Sequence, residues 1–218
     1  MSENRAIALL SGGLDSAAAA GTWLAEGREV DLALTFDYGQ RAAAAEAAAA
    51  RRLAERWGIA WRPLPMPWLA EAAVMAGSAL VDRGPDLPRG TVTRPGDEAS
   101  AAAVWVPARN VVLVAIAAGL AEARGAGVVL AGFNREEAAT FPDNSVEFVE
   151  AMNEALRLGT RRRVVVASPT LAWDKREIVA RARRLGLTAE DVWSCYGAGP
   201  EPCGVCESCA RARAAWGS

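Results

Sequence analysis

The feature that most constrains this chain is an interruption. The apolar run Ala6 to Leu10 has strand length, stops at Ser11-Gly12-Gly13, and gives way at once to an alanine-rich helical stretch from about Asp15 to Ala25. Strand, glycine turn and helix in that order open a β/α unit. Gly27 ends the helix, and Glu29 to Phe36 alternates polar and apolar before turning wholly apolar, as a second strand does. After a turn at Asp37 to Gly39, Arg41 to Trp57 reads as a long helix closed by Gly58, and Ile59 to Arg62 as a short third strand. Repeated β/α alternation predicts an α/β fold with a doubly wound, mainly parallel sheet. A chain of 218 residues, 52% hydrophobic and 23% charged, has room for one such domain and a small appendage.

Between Pro63 and Ala103 the pattern fails. Prolines at 63, 65, 67, 85, 88 and 95 and glycines at 77, 84, 90 and 96 leave no stable period, and a long excursion of this kind is usually functional or mobile. Regularity resumes with a helix from about Ala108 to Arg124, a buried strand Val128 to Gly132, a helix Val146 to Leu158, a strand Val164 to Ala167 and a helix Lys175 to Leu185. Beyond Gly186 the chain is turn-rich and carries every cysteine. The expected division is a main domain over residues 1–190 and a four-cysteine element over 191–218 packed on it. The alanine clusters at 17–20 and around Glu46 fit a coding bias and raise helix propensity.

Charge and residue usage exclude several functions. Lys and Arg total 24 against 26 Asp and Glu, so the net charge is −2 and the basic excess that holds nucleic acid is missing; no stable nucleic-acid binding is expected. Arg161-Arg162-Arg163 reads as a solvated connection. The chain has no histidine, which removes Ser-His-Asp and Cys-His catalysis and any zinc site needing imidazole. The longest apolar run, Val111 to Ala121, is too short for a bilayer of about 30 Å, and the first residues do not form a secretory apolar region. A cytoplasmic protein without membrane attachment is the expectation.

Two motifs carry chemistry. In Ser11-Gly12-Gly13-Leu14-Asp15-Ser16 the glycines let the backbone turn and aim N–H groups inward, the hydroxyls add donors, and the following helix N-terminus favours negative charge. This is an anion pocket, without the lysine of a Walker A loop or the spacing of a dinucleotide fingerprint. Cys195-x7-Cys203-x2-Cys206-x2-Cys209 lets four sulfurs converge on one tetrahedral ion, which suits structural zinc; a reactive thiol pair or an iron–sulfur cluster also suits the spacing. Loops at strand ends supply further candidates: Phe36, Tyr38, Gln40 and Arg41 after the second strand, Arg109 with Asn110 at a helix start, Asn134, Glu136 and Glu137 after the strand ending at Gly132, Asp143 before the next helix, and Lys175 after Asp174. Asp143 or Ser145 also suits a simple helix cap.

The loop resembles the pyrophosphate-binding loop of the ATP pyrophosphatase, or PP-loop, superfamily. With FDYGQR, GSALVD, VPARN, GFN, FPD, WSCY and PCGVCESC in this order, nearly the whole chain resembles the 7-cyano-7-deazaguanine synthase family. The resemblance implies a Rossmann-like fold of the adenine nucleotide alpha hydrolase type, zinc on Cys195, Cys203, Cys206 and Cys209, and Mg²⁺ and ATP at the loop. It implies a ligase that converts 7-carboxy-7-deazaguanine and ammonia to the nitrile through adenylated carboxylate and amide intermediates, upstream of queuosine or archaeosine. It also implies a homodimer.

Carried onto this sequence, Ser11, Gly12, Gly13, Asp15 and Ser16 bind the nucleotide phosphates, Asp15 through Mg²⁺, and Leu10, Leu14, Phe36, Tyr38, Gln40, Arg41 and Asn134 complete the nucleotide site. Lys175 meets developing charge, Arg109 or Arg41 grips the substrate carboxylate, and Glu136, Glu137 and Asp143 move protons or contact the purine edge. Ala42 stands where many members carry histidine, and the loop before Pro142 lacks their tyrosines. Other adenylating PP-loop enzymes, a tRNA thiolase or a protein-directed ligase, and a non-catalytic nucleotide-sensing zinc module are the competing readings.

Overall fold

The computed structural model describes residues 2–81, 84–88 and 98–217. The expected Asp82, Gly90, Pro95 and Gly96 lie outside them. Five strands, β1 (Ser2–Leu9), β2 (Glu29–Asp37), β3 (Trp61–Pro65), β4 (Ala126–Leu130) and β5 (Val165–Ala167), form one sheet in the order β3-β2-β1-β4-β5. Every pairing is parallel. The order reverses between β1 and β4, and in open α/β sheets ligands bind outside the carboxyl ends of strands at such a point.

Side-chain alternation along β1 feeds both faces of the sheet. Ile7 joins a core with Leu34, Phe36 and Val129, while Ala6, Ala8 and Leu10 face α1 (Leu14–Ala25), α2 (Ala43–Trp57) and α8 (Lys175–Arg184). Here the alanines do more than raise helix propensity. Ala17, Ala18, Ala19 and Ala20 are at most 1% exposed, and these methyl groups let α1 lie close to Ala6 and Ala8. Thr35 Oγ1 donates to the Leu10 carbonyl at 2.6 Å and accepts from Trp61 Nε1 at 2.9 Å, so a buried hydroxyl ties β3 and β2 to the chain entering the loop.

Three expectations are corrected. β3 runs from Trp61 to Pro65, later than Ile59 to Arg62, because its backbone pairs with Ala33 to Asp37. The excursion is partly regular: α3 (Pro67–Met75) and α4 (Glu98–Ala103) lie within it. Pro67 starts α3 at its first turn, where a missing N–H costs nothing, so the proline begins a helix instead of breaking one. The cysteine-bearing tail ends in α9 (Glu207–Trp216), whose Trp216 is buried in the core formed by α1, α2 and α8. The remaining elements are α5 (Arg109–Arg124), α6 (Arg135–Ala138), 3₁₀ turns at Pro142–Asn144 and Ala189–Asp191, and α7 (Val146–Gly159), capped by Ser145. No helix among the described residues is long and apolar enough to cross a membrane.

Candidate active site

The glycine loop lies at the carboxyl end of β1, and its shape has steric reasons. Gly12 has φ +84°, and a Cβ there would sit 2.4 Å from the Glu46 carbonyl, so the loop closes against α2 only without a side chain. A Cβ on Gly132, just past β4, would sit 2.6 Å from the Ser16 amide, so the start of α1 is wedged against the β4 exit. The hydroxyls hold this shape: Ser11 N–H donates to Ser16 Oγ at 3.2 Å, Ser16 Oγ donates to the Gly13 carbonyl at 3.0 Å, and Gly13 N–H donates to Ser11 Oγ at 3.2 Å. Trp193 N–H donates to the Gly12 carbonyl at 2.8 Å, tying the loop to the cysteine-bearing segment.

A cavity of about 330 Å³ opens over this loop. At its loop end Lys175 Nζ donates to both oxygens of Asp15, at 2.7 and 3.0 Å, and lies 3.4 Å from Glu137 Oε1. Arg211 Nη1 reaches the same Glu137 oxygen at 3.5 Å, and Arg211 also pairs with the buried Glu207. Burial opposes the Lys175 charge, but Asp15 and Glu137 outweigh it and hold the ammonium protonated far into the alkaline range. Burial, with Glu137 nearby, pushes the Asp15 carboxyl up against the pull of Lys175. The result is a partly shielded cluster of two cations among three carboxylates.

The opposite end is aromatic. Trp105 stacks on Phe141 at 6.3 Å, and the Arg109 guanidinium lies over the Tyr38 ring and donates to its hydroxyl at 3.2 Å. Burial works against the Arg109 charge, but Tyr38, Asp143 and Glu46 keep it fully ionised. Burial raises the Asp143 carboxyl, with Arg109 and Asn144 pulling it back.

Of the expected site residues, Ser11, Gly13, Leu14, Asp15, Ser16, Phe36, Tyr38, Gln40, Arg109, Asp143 and Lys175 border the cavity, as does Glu137. Others fall elsewhere for identifiable reasons. Leu10 is 1% exposed in the core, and Gly12 shapes the loop from behind. Arg41 turns to the excursion, donating to the carbonyls of Ala79, Gly84 and Pro85 at 3.1 Å, so it grips backbone instead of a ligand. Asn134 is fully buried and caps α6 by accepting from Glu137 N–H at 2.9 Å. Glu136 accepts the Lys175 backbone N–H at 3.2 Å, which steadies the start of α8. Glu46, Trp105 and Arg211 border the cavity without having been singled out by the sequence. A lone acid among alanines was the available signal for Glu46.

The four cysteines converge, with their sulfurs all within 4.8 Å of one another. Cys195 to Cys206 and Cys203 to Cys209 are each separated by 4.0 Å, near the roughly 3.8 Å edge of a tetrahedron with metal–sulfur bonds of about 2.3 Å. Gly197 and Cys203 N–H groups donate to Cys195 Sγ at 3.2 and 3.3 Å, and Cys206 N–H donates to Cys203 Sγ at 3.4 Å. Burial opposes the Cys203 thiolate, but backbone N–H groups of Val205 and Cys206 outweigh it and bring its pKa to about 7. The donor set fits a metal ion. It also adjoins the cavity, since Ser194, Tyr196, Ser208 and Arg211 of the same segment border it.

A glycine loop at the switch point of a 3-2-1-4-5 parallel sheet, beside a lysine–aspartate pair, defines a doubly wound α/β protein with its candidate site at the carboxyl edge of the sheet. The NH3-dependent NAD synthetase from Campylobacter jejuni shares this fold, with a TM-score of 0.50 at 18% identity over 88% of this chain and 68% of that one. The family described as "Queuosine biosynthesis protein QueC" matches residues 5–218, and the chain belongs to it. Similar proteins include the 7-cyano-7-deazaguanine synthases of Pelotomaculum thermopropionicum, 46% identical over 95% of this chain and 94% of that protein, and Methanothermobacter thermautotrophicus, 44% identical over 97% and 94%.

Proposed function

We propose that this chain is a 7-cyano-7-deazaguanine synthase, an ATP-dependent carbon–nitrogen ligase acting on 7-carboxy-7-deazaguanine and ammonia. The observation that carries the reading is the cavity itself, with an anion-binding loop and Lys175 at one end and an aromatic wall bearing Arg109 at the other. It accompanies full-length similarity to proteins of that name.

A carboxylate is a poor acyl donor until one oxygen becomes a leaving group. In the first half-reaction a carboxylate oxygen attacks the α-phosphorus of ATP and pyrophosphate departs; ammonia then attacks the acyl carbon, AMP leaves with that oxygen, and a proton is lost to give the amide. In the second, the amide oxygen attacks the α-phosphorus of a second ATP and pyrophosphate departs, and loss of two N–H protons with departure of AMP gives the nitrile. Both activations need the same alignment of an oxygen with an α-phosphorus, so one site serves twice.

The residues divide along the cavity. The N-terminus of α1 and the loop hold the pyrophosphate, Lys175 neutralises charge on it, and Asp15 meets the Mg²⁺ carried with the nucleotide. Arg109 grips the substrate carboxylate. Without histidine, proton movement falls to carboxylates or water, and Asp143 is the acid so placed near Arg109.

Zinc on the four cysteines would be structural, with no open position. All four cysteines of the chain lie in that cluster, which leaves none to carry a persulfide and disfavours the tRNA thiolase reading. We retain the cytoplasm, where thiols stay reduced, and a homodimer: Trp68 and Met75 of α3 stand 50% and 88% exposed, an apolar surface suited to a second copy.

The test is mass spectrometry of a reaction containing the protein, Mg-ATP, ammonia and 7-carboxy-7-deazaguanine. Nitrile with AMP supports the reading. Bound ATP with neither nitrile nor amide points to protein-directed ligation or nucleotide sensing.

A further inference from the structure

Glu46 is the single acid in the alanine stretch from 42 to 50, and its side chain borders the cavity. One carboxylate oxygen accepts from Gln40 Nε2 at 2.9 Å. The rest of the Gln40 amide is committed to backbone: its oxygen accepts from Tyr38 N–H at 2.9 Å, and its nitrogen also donates to the Phe36 carbonyl at 3.0 Å. Gln40 therefore fixes Glu46 and has no hydrogen left for its second oxygen. Among the described residues no cation lies within ion-pair distance of Glu46, in contrast to Asp15 and Glu137, which hold Lys175 and Arg211. Its backbone carbonyl also abuts Gly12, so its distance from the anion loop is set by the fold.

An oxygen that borders the cavity without a protein donor is open to donors from a ligand. The two purines of the proposed reaction differ in what they offer. The adenine edge places an amine next to a bare ring nitrogen, whose lone pair repels a carboxylate. The 7-deazaguanine edge places the 2-amino group next to a ring N–H, two donors side by side, which match the two oxygens of a carboxylate. Trp105 and Phe141, at the same end of the cavity as Arg109, supply apolar surface for a flat ring.

We propose that Glu46 is a specificity-determining residue whose carboxylate accepts hydrogen bonds from the ring N–H and 2-amino group of the 7-deazaguanine base. This rests on the synthase reading above. Gln40 acts as the positioning residue for this contact. Burial raises the Glu46 carboxyl, against the pull of Gln40 and of Arg109.

The test compares 7-carboxy-7-deazaguanine with its 2-deamino counterpart on the full-length wild type and on Glu46→Gln, with the KM for ATP measured alongside. In the wild type, the KM for the 2-deamino substrate rises roughly 10- to 100-fold over the parent, as expected when a built polar contact is left unmade. In Glu46→Gln the KM for the parent rises by a similar factor, the KM for ATP changes less than twofold, and the two substrates become nearly equivalent. Equal KM values for parent and 2-deamino substrate in the wild type overturn the proposal, and this arm decides even if the variant does not fold. A variant that raises the KM for ATP while leaving that for the acid unchanged also overturns it and assigns Glu46 to the ribose hydroxyls. No nitrile from the parent with wild type overturns the synthase reading and this proposal with it, whereas nitrile formed with unaltered selectivity overturns this proposal alone.

Discussion

Lys175 Nζ lies 2.7 Å from Asp15 Oδ2, joining the first residue of α8 to the first turn of α1 across 160 positions of sequence. The contact closes the loop end of the cavity, and Glu137 extends it to Arg211 on the four-cysteine segment. Replacing Lys175 by Met keeps the stem and removes the charge, leaving Asp15 and Glu137 facing each other. The expected result is a loss of kcat/KM of about 100-fold or more, since a charge aimed at the developing phosphate charge is gone. A melting temperature within a few degrees of wild type separates this from unfolding.

Arg109 tests the other end. Its donation to Tyr38 and its place over that ring suit a guanidinium more than an ammonium. Arg109→Lys keeps the charge but loses the two-pronged grip on a carboxylate. The KM for the acid should rise roughly tenfold or more while that for ATP stays close to wild type. Equal changes in both would assign Arg109 to the nucleotide.

A metal on the four-cysteine segment should matter to the site and not only to the tail. Trp193 holds the Gly12 carbonyl, and Arg211 borders the cavity, so stripping the metal with a chelator should release both. Structural zinc sites are worth roughly 10–16 kcal/mol in isolated peptides, enough to unfold a segment of this size on removal. We expect metal content near one ion per chain, a tryptophan fluorescence change on chelation, and loss of activity that returns with Zn²⁺. Retention of full activity in metal-free protein would contradict the coupling.

Much of this architecture was legible in the sequence because each signal was local. The glycine break after Ala6 to Leu10 announces the turn between β1 and α1, and the cysteine spacing announces the convergence of four sulfurs, whatever the rest of the chain does. The misplacements are tertiary. Arg41 follows the glycine turn in a motif that suggests a ligand, yet the excursion folds back so that its carbonyls meet the guanidinium. Pro67 looked like a breaker because only the start of α3 shows which of its helix positions it occupies. Arg211 sits in a run of arginine and alanine with no motif of its own, and enters the site through α9 packing beside α8.

Asp31 gives a stability prediction away from the site. Burial opposes its charge, but hydrogen bonds from Arg124 and Arg5 win and hold its carboxyl below the ordinary range. A carboxylate lowered in the folded state contributes stability above its unfolded pKa of about 3.9 and loses it as pH falls through the folded value. Urea unfolding should therefore show stability rising with pH across the acid range, and Asp31→Asn should flatten that rise. With both arginines more than a third exposed, the cost at neutral pH should be about 1–2 kcal/mol.

The proposed reaction adenylates first a carboxylate oxygen and then the amide oxygen of the same carbon. Substrate carrying ¹⁸O at both carboxylate positions tests it directly, with the label followed by mass spectrometry of the nucleotide products. Two molecules of AMP, each with one ¹⁸O, are expected for every nitrile formed. Label appearing in water or inorganic phosphate, or one labelled AMP per nitrile, would contradict it.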